Sequence, residues 1–262
     1  MKLSLKTTMI MFLTITFALM GITHGIIYLL FHQTTLTTDD GIIQILGIIG
    51  GAAPAIGALY IVYKYYSNDE KETYWKAVYR FKTSYLIWAV VLLSPLVLGV
   101  VTNYIVNQNL NFVTFNLRDD LLRIPIIFAV SIFAGGAEEL GWRGIVQRRL
   151  EGSYNLAMIG LFIGVIWGVW HLPLFLIEGF AHYEYNFFIY LLSTIIFSLW
   201  MSGVVYKTRS VGLAILMHAA INTSANFGFN IPMTFNLLVV ILMVLVIIAS
   251  IFVLQRFIQQ KQ

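Results

Sequence analysis

Long apolar stretches separated by short polar segments make up almost the whole chain. A helix that crosses a lipid bilayer needs about 20 mostly apolar residues. The chain therefore predicts an all-α, polytopic membrane bundle of about eight transmembrane helices, because eight windows meet this requirement. These windows are 8–31, 41–63, 84–106, 121–142, 155–177, 187–206, 211–229 and 233–255.

The composition supports a membrane protein. The chain has 262 residues, of which 59% are hydrophobic and only 11% are charged, and its mean hydropathy is +0.84. A soluble domain has about a quarter of its residues charged. The chain has no cysteine, which excludes disulfides, thiolate nucleophiles and cysteine metal sites. We relate the net charge of +4 to membrane topology and expect no nucleic-acid partner.

The positions of the basic residues predict the orientation. With the N-terminus inside and the eight helices alternating, 14 of the 16 Lys and Arg residues lie on the cytoplasmic side, and only Arg118 and Arg123 lie outside. An excess of Lys and Arg is typical of cytoplasmic loops. We therefore expect a multi-pass protein with both termini inside. The Ile-, Lys- and Asn-leaning composition favours a bacterial cell membrane. The basic, aromatic stretch 64–82 predicts an interfacial helix.

The stretch AGGAEELGWRG, residues 134–144, places two carboxylates and an arginine in an apolar window. A charged side chain at mid-membrane costs roughly 2.5–3.5 kcal/mol, so such residues mark a functional site or a pairing. In a helix, Glu139 and Arg143 would share one face and neutralise each other. Glu138, turned about 100° away, would stay unpaired. An unpaired carboxylate that faces a wet cavity suits a general base.

Two later windows carry histidines at four-residue spacing from another polar or aromatic side chain. Trp167 and His171 share one helix face, and so do His218 and Asn222. An imidazole beside an amide can donate two hydrogen bonds to a developing oxyanion. Hydrogen bonding between helices would explain any one of these residues alone. Polar positions on three helices of one bundle favour a common site.

Three glycines in the window 155–177 predict close helix packing. Gly160, Gly164 and Gly168 lie four apart, which lets a neighbouring helix approach. Pro173 would loosen the same helix just after the histidine. At about 1.5 Å per residue, straight helices place His171 roughly 24 Å from the cytoplasmic end of its window, but Glu138 only roughly 15 Å from Arg148. These two depths do not coincide, and helix tilt or a helix that begins near Gly160 would narrow the difference.

Taken together, these residues resemble the CPBP family, which comprises CAAX prenyl endopeptidases and bacteriocin-processing or immunity-type intramembrane proteases. The resemblance covers about 120–230, and the family often has Phe at the position of Trp167. Three short motifs occur in the family's order and spacing: Glu138-Glu139-x-x-x-Arg143, aromatic-x-x-x-His171 and His218-x-x-x-Asn222.

The resemblance implies an intramembrane endopeptidase acting on a membrane-embedded or membrane-associated peptide or protein. By carry-over, Glu138 activates water and His171 holds or polarises that water. His218 and Asn222 would form the oxyanion site. The second glutamate of the first motif and its arginine, Glu139 and Arg143, would support them. The regions then become N-terminal helices of no assignable function (1–120), a catalytic core (121–230), and a C-terminal helix with a short tail (231–262).

The resemblance leaves the metal open, because the family is commonly labelled as metalloproteases. Glu138, His171 and His218 could make a three-ligand zinc site with one open position. A metal-free water activated by glutamate is also held for family members. We favour the metal-free site and expect no cofactor, because Asn222 beside His218 suits oxyanion binding better than metal ligation.

Two other functions fit the same residues. A non-catalytic immunity or scaffold protein would keep the fold and tolerate replacement of Glu138 and His218. A proton-coupled transporter would use the intramembrane acids and histidines as a relay, and it predicts broken helices and two repeated halves.

Overall fold

The computed structural model describes residues 3–108, 117–229 and 231–259. Over these residues the chain folds into helices without a β-strand, which confirms the all-α class. The longer helices are α1 (Leu5–Gln33), α2 (Gly41–Gly51), α3 (Ala53–Tyr65), α4 (Asn68–Val78), α5 (Tyr85–Asn107), α6 (Leu117–Phe133), α7 (Leu156–Trp170), α8 (Phe187–Thr208), α9 (Val211–Asn226) and α10 (Leu237–Gln259).

Within the described ranges, six helical segments are long and apolar enough to cross a bilayer, and a broken pair of helices would make a seventh. The multi-pass membrane protein is therefore confirmed. The predicted window 211–229 is not among them, because α9 has only 16 residues and includes polar side chains. The count of eight, the orientation and the bacterial origin stay predictions.

The predicted window 41–63 is a broken span rather than one straight helix. The axes of α2 and α3 differ by 53° at Ala52. Pro54 lies in the first turn of α3, where its missing N–H costs nothing. Farther along a helix the ring would clash with the preceding turn, so the chain starts a new helix there.

The predicted window 121–142 lies within a candidate membrane span, Asp120–Leu150, but it is not one regular helix. Helix α6 ends at Phe133, and Gly135 follows with φ +120°, a conformation that glycine adopts readily. We call residues 134–150 the glutamate segment. It consists of four short turns: a 3₁₀ turn (Gly136–Glu138), an α turn (Glu139–Gly141), a π-helical turn (Trp142–Gln147) and an α turn (Arg148–Leu150).

A helix forms within the stretch 64–82, as predicted, and it contacts the glutamate segment. Ser67 and Glu70 form a reciprocal capping box at the start of α4. The buried Tyr74 hydroxyl donates a hydrogen bond of 2.8 Å to the carbonyl oxygen of Leu140. Helix α4 thereby packs its aromatic face against the segment that carries the two glutamates.

The predicted close packing of the glycine face is confirmed between α7 and α8. A Cβ added at Gly164 would lie 2.6 Å from the Cα of Ile195. The hydroxyl of Thr194 donates to the carbonyl oxygen of Gly164 at 3.0 Å, and that of Ser198 donates to Gly160 at 2.7 Å. Helix α8 is therefore the buried centre of the bundle.

We expect Gly164→Ala to lower the melting temperature of the detergent-solubilised protein. The new methyl group would press on the backbone of α8, and such overpacking costs about 1–3 kcal/mol. Gly25→Ala in α1 is the control, because an added Cβ there meets nothing within 4 Å. Equal melting temperatures for Gly164→Ala and the wild type would contradict the close packing of α7 and α8.

Candidate active site

A cavity of about 1060 Å³ lies among α1, α2, α7, α8, α9 and the glutamate segment. The four side chains predicted to be catalytic all line it: Glu138, His171, His218 and Asn222. The structure thus brings together positions that are up to 84 residues apart in the chain, since the first is 138 and the last is 222.

Glu138 is buried, with 6% of its surface exposed, and its carboxylate is oriented by an indole. The Nε1 of Trp167 donates a hydrogen bond of 2.8 Å to Oε2 of Glu138. His171 caps the end of α7, and its Nδ1 lies 2.8 Å from the carbonyl oxygen of Trp167. Glu138 and His171 line the same cavity, and the glutamate segment is not the straight helix on which the depth arithmetic depends.

Glu139 is fully buried and has two partners. Its Oε2 accepts from Nε of Arg143 at 2.8 Å, which confirms the predicted pairing at four-residue spacing. Its Oε1 lies 2.9 Å from Nδ1 of His218, a contact that sequence analysis missed. Carboxylate and imidazole are 79 residues apart in the chain, so no local spacing could indicate this bond.

The guanidinium of Arg143 is also fully buried and has further partners on α8. It donates to the hydroxyl of Ser202 at 2.8 Å and to that of Ser198 at 3.1 Å. A buried charge is tolerated only when it is paired and its hydrogen-bonding capacity is satisfied. The two serines were missed by sequence analysis, because serines four apart in an apolar helix are also typical of ordinary helix packing.

The nitrogens of His218 and Asn222 that face the cavity converge above Gly135. A Cβ at Gly135 would lie 3.1 Å from Nε2 of His218 and 2.2 Å from Nδ2 of Asn222. The same Nδ2 donates to the carbonyl oxygen of Ala134 at 3.0 Å. The missing side chain of Gly135 leaves the space in front of the two nitrogens open. The glycine pair before the glutamates was the sequence feature that could have indicated this role.

An aromatic wall faces the imidazole of His171. His182 stacks on it with ring centroids 5.8 Å apart and planes 15° apart, and Tyr190 of α8 meets it edge-on at 5.3 Å. Burial lowers the pKa of His182 to about 4, with a smaller contribution from His24. The His182 side chain is therefore neutral at pH 7. Sequence analysis did not assign His182 or Tyr190 to the site.

The donor set does not fit the zinc site considered from the sequence. No group of three His, Asp or Glu side chains in the described ranges is arranged to hold a metal ion. In Glu138, the oxygen Oε2 is already taken by the indole of Trp167. A metalloprotease is therefore not supported, and the expectation of a metal-free site stays a prediction.

The arrangement defines a polytopic membrane protein with a buried, hydrolase-like polar site. Residues 120–224 match the family described as type II CAAX prenyl endopeptidase Rce1-like, and this stretch holds all six predicted site residues. A relative named CAAX prenyl protease 2, from Methanococcus maripaludis, is 26% identical over 203 residues, covering 71% of this chain and 73% of the relative. Both matches confirm the resemblance to the CPBP intramembrane proteases.

Replacing Arg143 with Met should destabilise the protein strongly. Removing one partner of a buried ion pair costs about 3–5 kcal/mol, because the carboxylate of Glu139 would keep its charge without the guanidinium. Thermal unfolding in detergent measures the loss.

The control for this change is Lys76→Met, which breaks the exposed pair of Lys76 with Glu72 on α4. Exposed pairs contribute little to stability, so we expect no measurable shift. If both variants unfolded at the wild-type temperature, Arg143 would not stabilise the site.

Proposed function

We propose that this protein is an intramembrane endopeptidase in which Glu138 activates the attacking water. One observation carries the proposal: the buried carboxylate of Glu138 lines the same cavity as the two nitrogens that converge above Gly135. A base and a pair of hydrogen-bond donors around one reacting carbonyl are the parts that peptide hydrolysis requires.

The water is held between two acceptors. Glu138 takes one proton from the water as its oxygen attacks the carbonyl carbon. His171 donates from Nδ1 to the carbonyl oxygen of Trp167, so its Nε2 carries a lone pair in the neutral tautomer. That nitrogen accepts the second hydrogen of the water. Glu138 then passes its proton to the leaving nitrogen, and the C–N bond breaks to release an amine. The other product is a carboxylic acid, which loses the second proton of the water to the released amine or to solvent and becomes a carboxylate.

The oxyanion is held by Asn222 and His218. The amide Nδ2 of Asn222 donates one hydrogen bond, and Nε2 of His218 donates the other. Nδ1 of His218 lies 2.9 Å from Glu139 and donates to it in this proposal. For Nε2 to donate to the oxyanion as well, the ring must be an imidazolium. Glu139 stabilises that cation, and Arg143 keeps the carboxylate ionised.

The substrate is a membrane-associated peptide or protein that presents an apolar segment. The cavity is lined mainly by aliphatic, aromatic and small side chains, with Glu138 as its one carboxylate in the described ranges. An apolar segment of a membrane-associated substrate would be complementary to this lining. The name of the relative, CAAX prenyl protease 2, supports a substrate held at the membrane.

Glu138→Gln should abolish proteolysis. The amide cannot accept the proton from water, and loss of a general base lowers kcat by roughly 10²- to 10⁴-fold. The assay uses purified protein in proteoliposomes with two internally quenched peptides. One peptide ends in a prenylated CAAX sequence, and the other is an unprenylated apolar helix.

The matched control is Glu178→Gln, which alters an exposed carboxylate that does not line the cavity. Its cleavage rate should equal that of the wild type. Wild-type rates in a folded Glu138→Gln variant would contradict the mechanism. No cleavage of either peptide by the wild type would favour the immunity or scaffold function.

Asn222→Ala tests the oxyanion site separately. Removal of one oxyanion donor lowers kcat by roughly 10²- to 10³-fold. The KM value should change little, because the lost bond forms only as charge develops on the carbonyl oxygen. Asn226→Ala, one turn farther along α9 and outside the cavity lining, should leave both constants unchanged. An equal loss in both variants would point to damage of α9 rather than of the oxyanion site.

A further inference from the structure

The indole of Trp167 donates a hydrogen bond of 2.8 Å to Glu138, and the indole of Trp142 also lies near this carboxylate. Trp167 is itself buried, with 4% of its surface exposed. Its ring lies between the two histidines of the site, with centroids 5.1 Å from His218 and 5.9 Å from His171.

The bond divides the two oxygens of Glu138. Oε2 is held by the indole N–H of Trp167 at 2.8 Å, and we assign the other oxygen, Oε1, to the water. A carboxylate without this donor could rotate about its side-chain bonds, and burial without a hydrogen bond would disfavour its ionised form. An indole is a rigid donor whose orientation is fixed by packing on both faces.

Trp167 also orients the second water-binding group through its main chain. Its carbonyl oxygen accepts from Nδ1 of His171, which fixes the tautomer and the direction of that ring. One residue therefore contacts both groups between which the water is held. The main-chain bond does not depend on the side chain, so substitution of Trp167 can remove one contact and keep the other.

We propose that Trp167 is a positioning residue for the base: its indole N–H holds one oxygen of Glu138 so that the other faces the water. This inference rests on the proposed function and deepens it. The effect depends on a hydrogen bond rather than on ring packing, and a phenyl ring provides no such bond.

Two replacements at position 167 separate the hydrogen bond from the shape of the side chain. Trp167→Phe removes the N–H and part of the ring. Incorporation of β-(3-benzothienyl)alanine replaces the N–H by sulfur and keeps the bicyclic shape. Both should lower kcat by roughly 10- to 100-fold without raising KM, because a hydrogen bond to a charged group is lost. A cooperative thermal unfolding transition establishes that each variant is folded. If Trp167→Phe does not fold, the benzothienylalanine variant alone provides the test.

The pH dependence of kcat provides a readout that a merely structural role would not move. Without the donor, the carboxylate of Glu138 is ionised only at higher pH. The acid limb of the pH profile of kcat should therefore shift to higher pH. The other titratable or charged groups around the base are unchanged by the substitution: Glu139 and Arg143 of the glutamate segment, His171, Tyr190 of α8 and His218 of α9.

Trp170→Phe is the matched control. Trp170 is equally buried, lines the same cavity, and its Nε1 donates to the carbonyl oxygen of Thr16 at 3.2 Å. Its ring also contacts His171, with centroids 4.5 Å apart, but it donates no hydrogen bond to Glu138. The acid side of its pH profile should coincide with that of the wild type.

The outcomes separate the inference from the proposed function. Wild-type kcat and an unshifted acid limb in both Trp167 variants would overturn the positioning role, even if Glu138→Gln is inactive. An equal shift in Trp170→Phe would also overturn it. Full activity of Glu138→Gln would instead remove the proposed function itself.

Discussion

The fully buried carboxylate of Glu139 is the interaction on which the site depends. It binds the guanidinium of Arg143 and the imidazole of His218 at the same time. Arg143 in turn binds two serines of α8, so the carboxylate links the glutamate segment to α8 and α9. A buried charge with fixed partners is costly to displace, and this cost keeps the imidazole in place relative to the cavity.

The two adjacent glutamates differ because their neighbours differ. Glu139 has two cationic or ionisable partners and no free oxygen, so it is suited to orientation and charge balance. Glu138 has only neutral indoles as its neighbouring donors among the described residues and lines the cavity, so we assign it the chemical role. The turn at Gly135 allows the two glutamates to take different roles. It ends α6 before them, and their side chains then contact different helices.

Sequence patterns within one helix predicted the features that depend on residues close together in the chain. Hydrophobic windows gave the helices, and four-residue spacing gave the pairing of Glu139 with Arg143. The bond between Glu139 and His218 spans 79 residues and could not be read from any spacing. The helix breaks at Ala52 and Gly135 depend on backbone angles. Nearby glycine and proline residues allow these angles, but they do not require a break at that position. The roles carried over from the family resemblance stay predictions, although the structure groups their side chains.

The order of these partners along the chain also constrains how the protein is made. The glutamate segment leaves the ribosome before Ser198, Ser202 and His218 have been synthesised. Glu139 and Arg143 can pair with each other as soon as the segment is made, but the serines and the histidine that complete their hydrogen bonds come later. The polar centre is consequently assembled late, by lateral docking of helices already made.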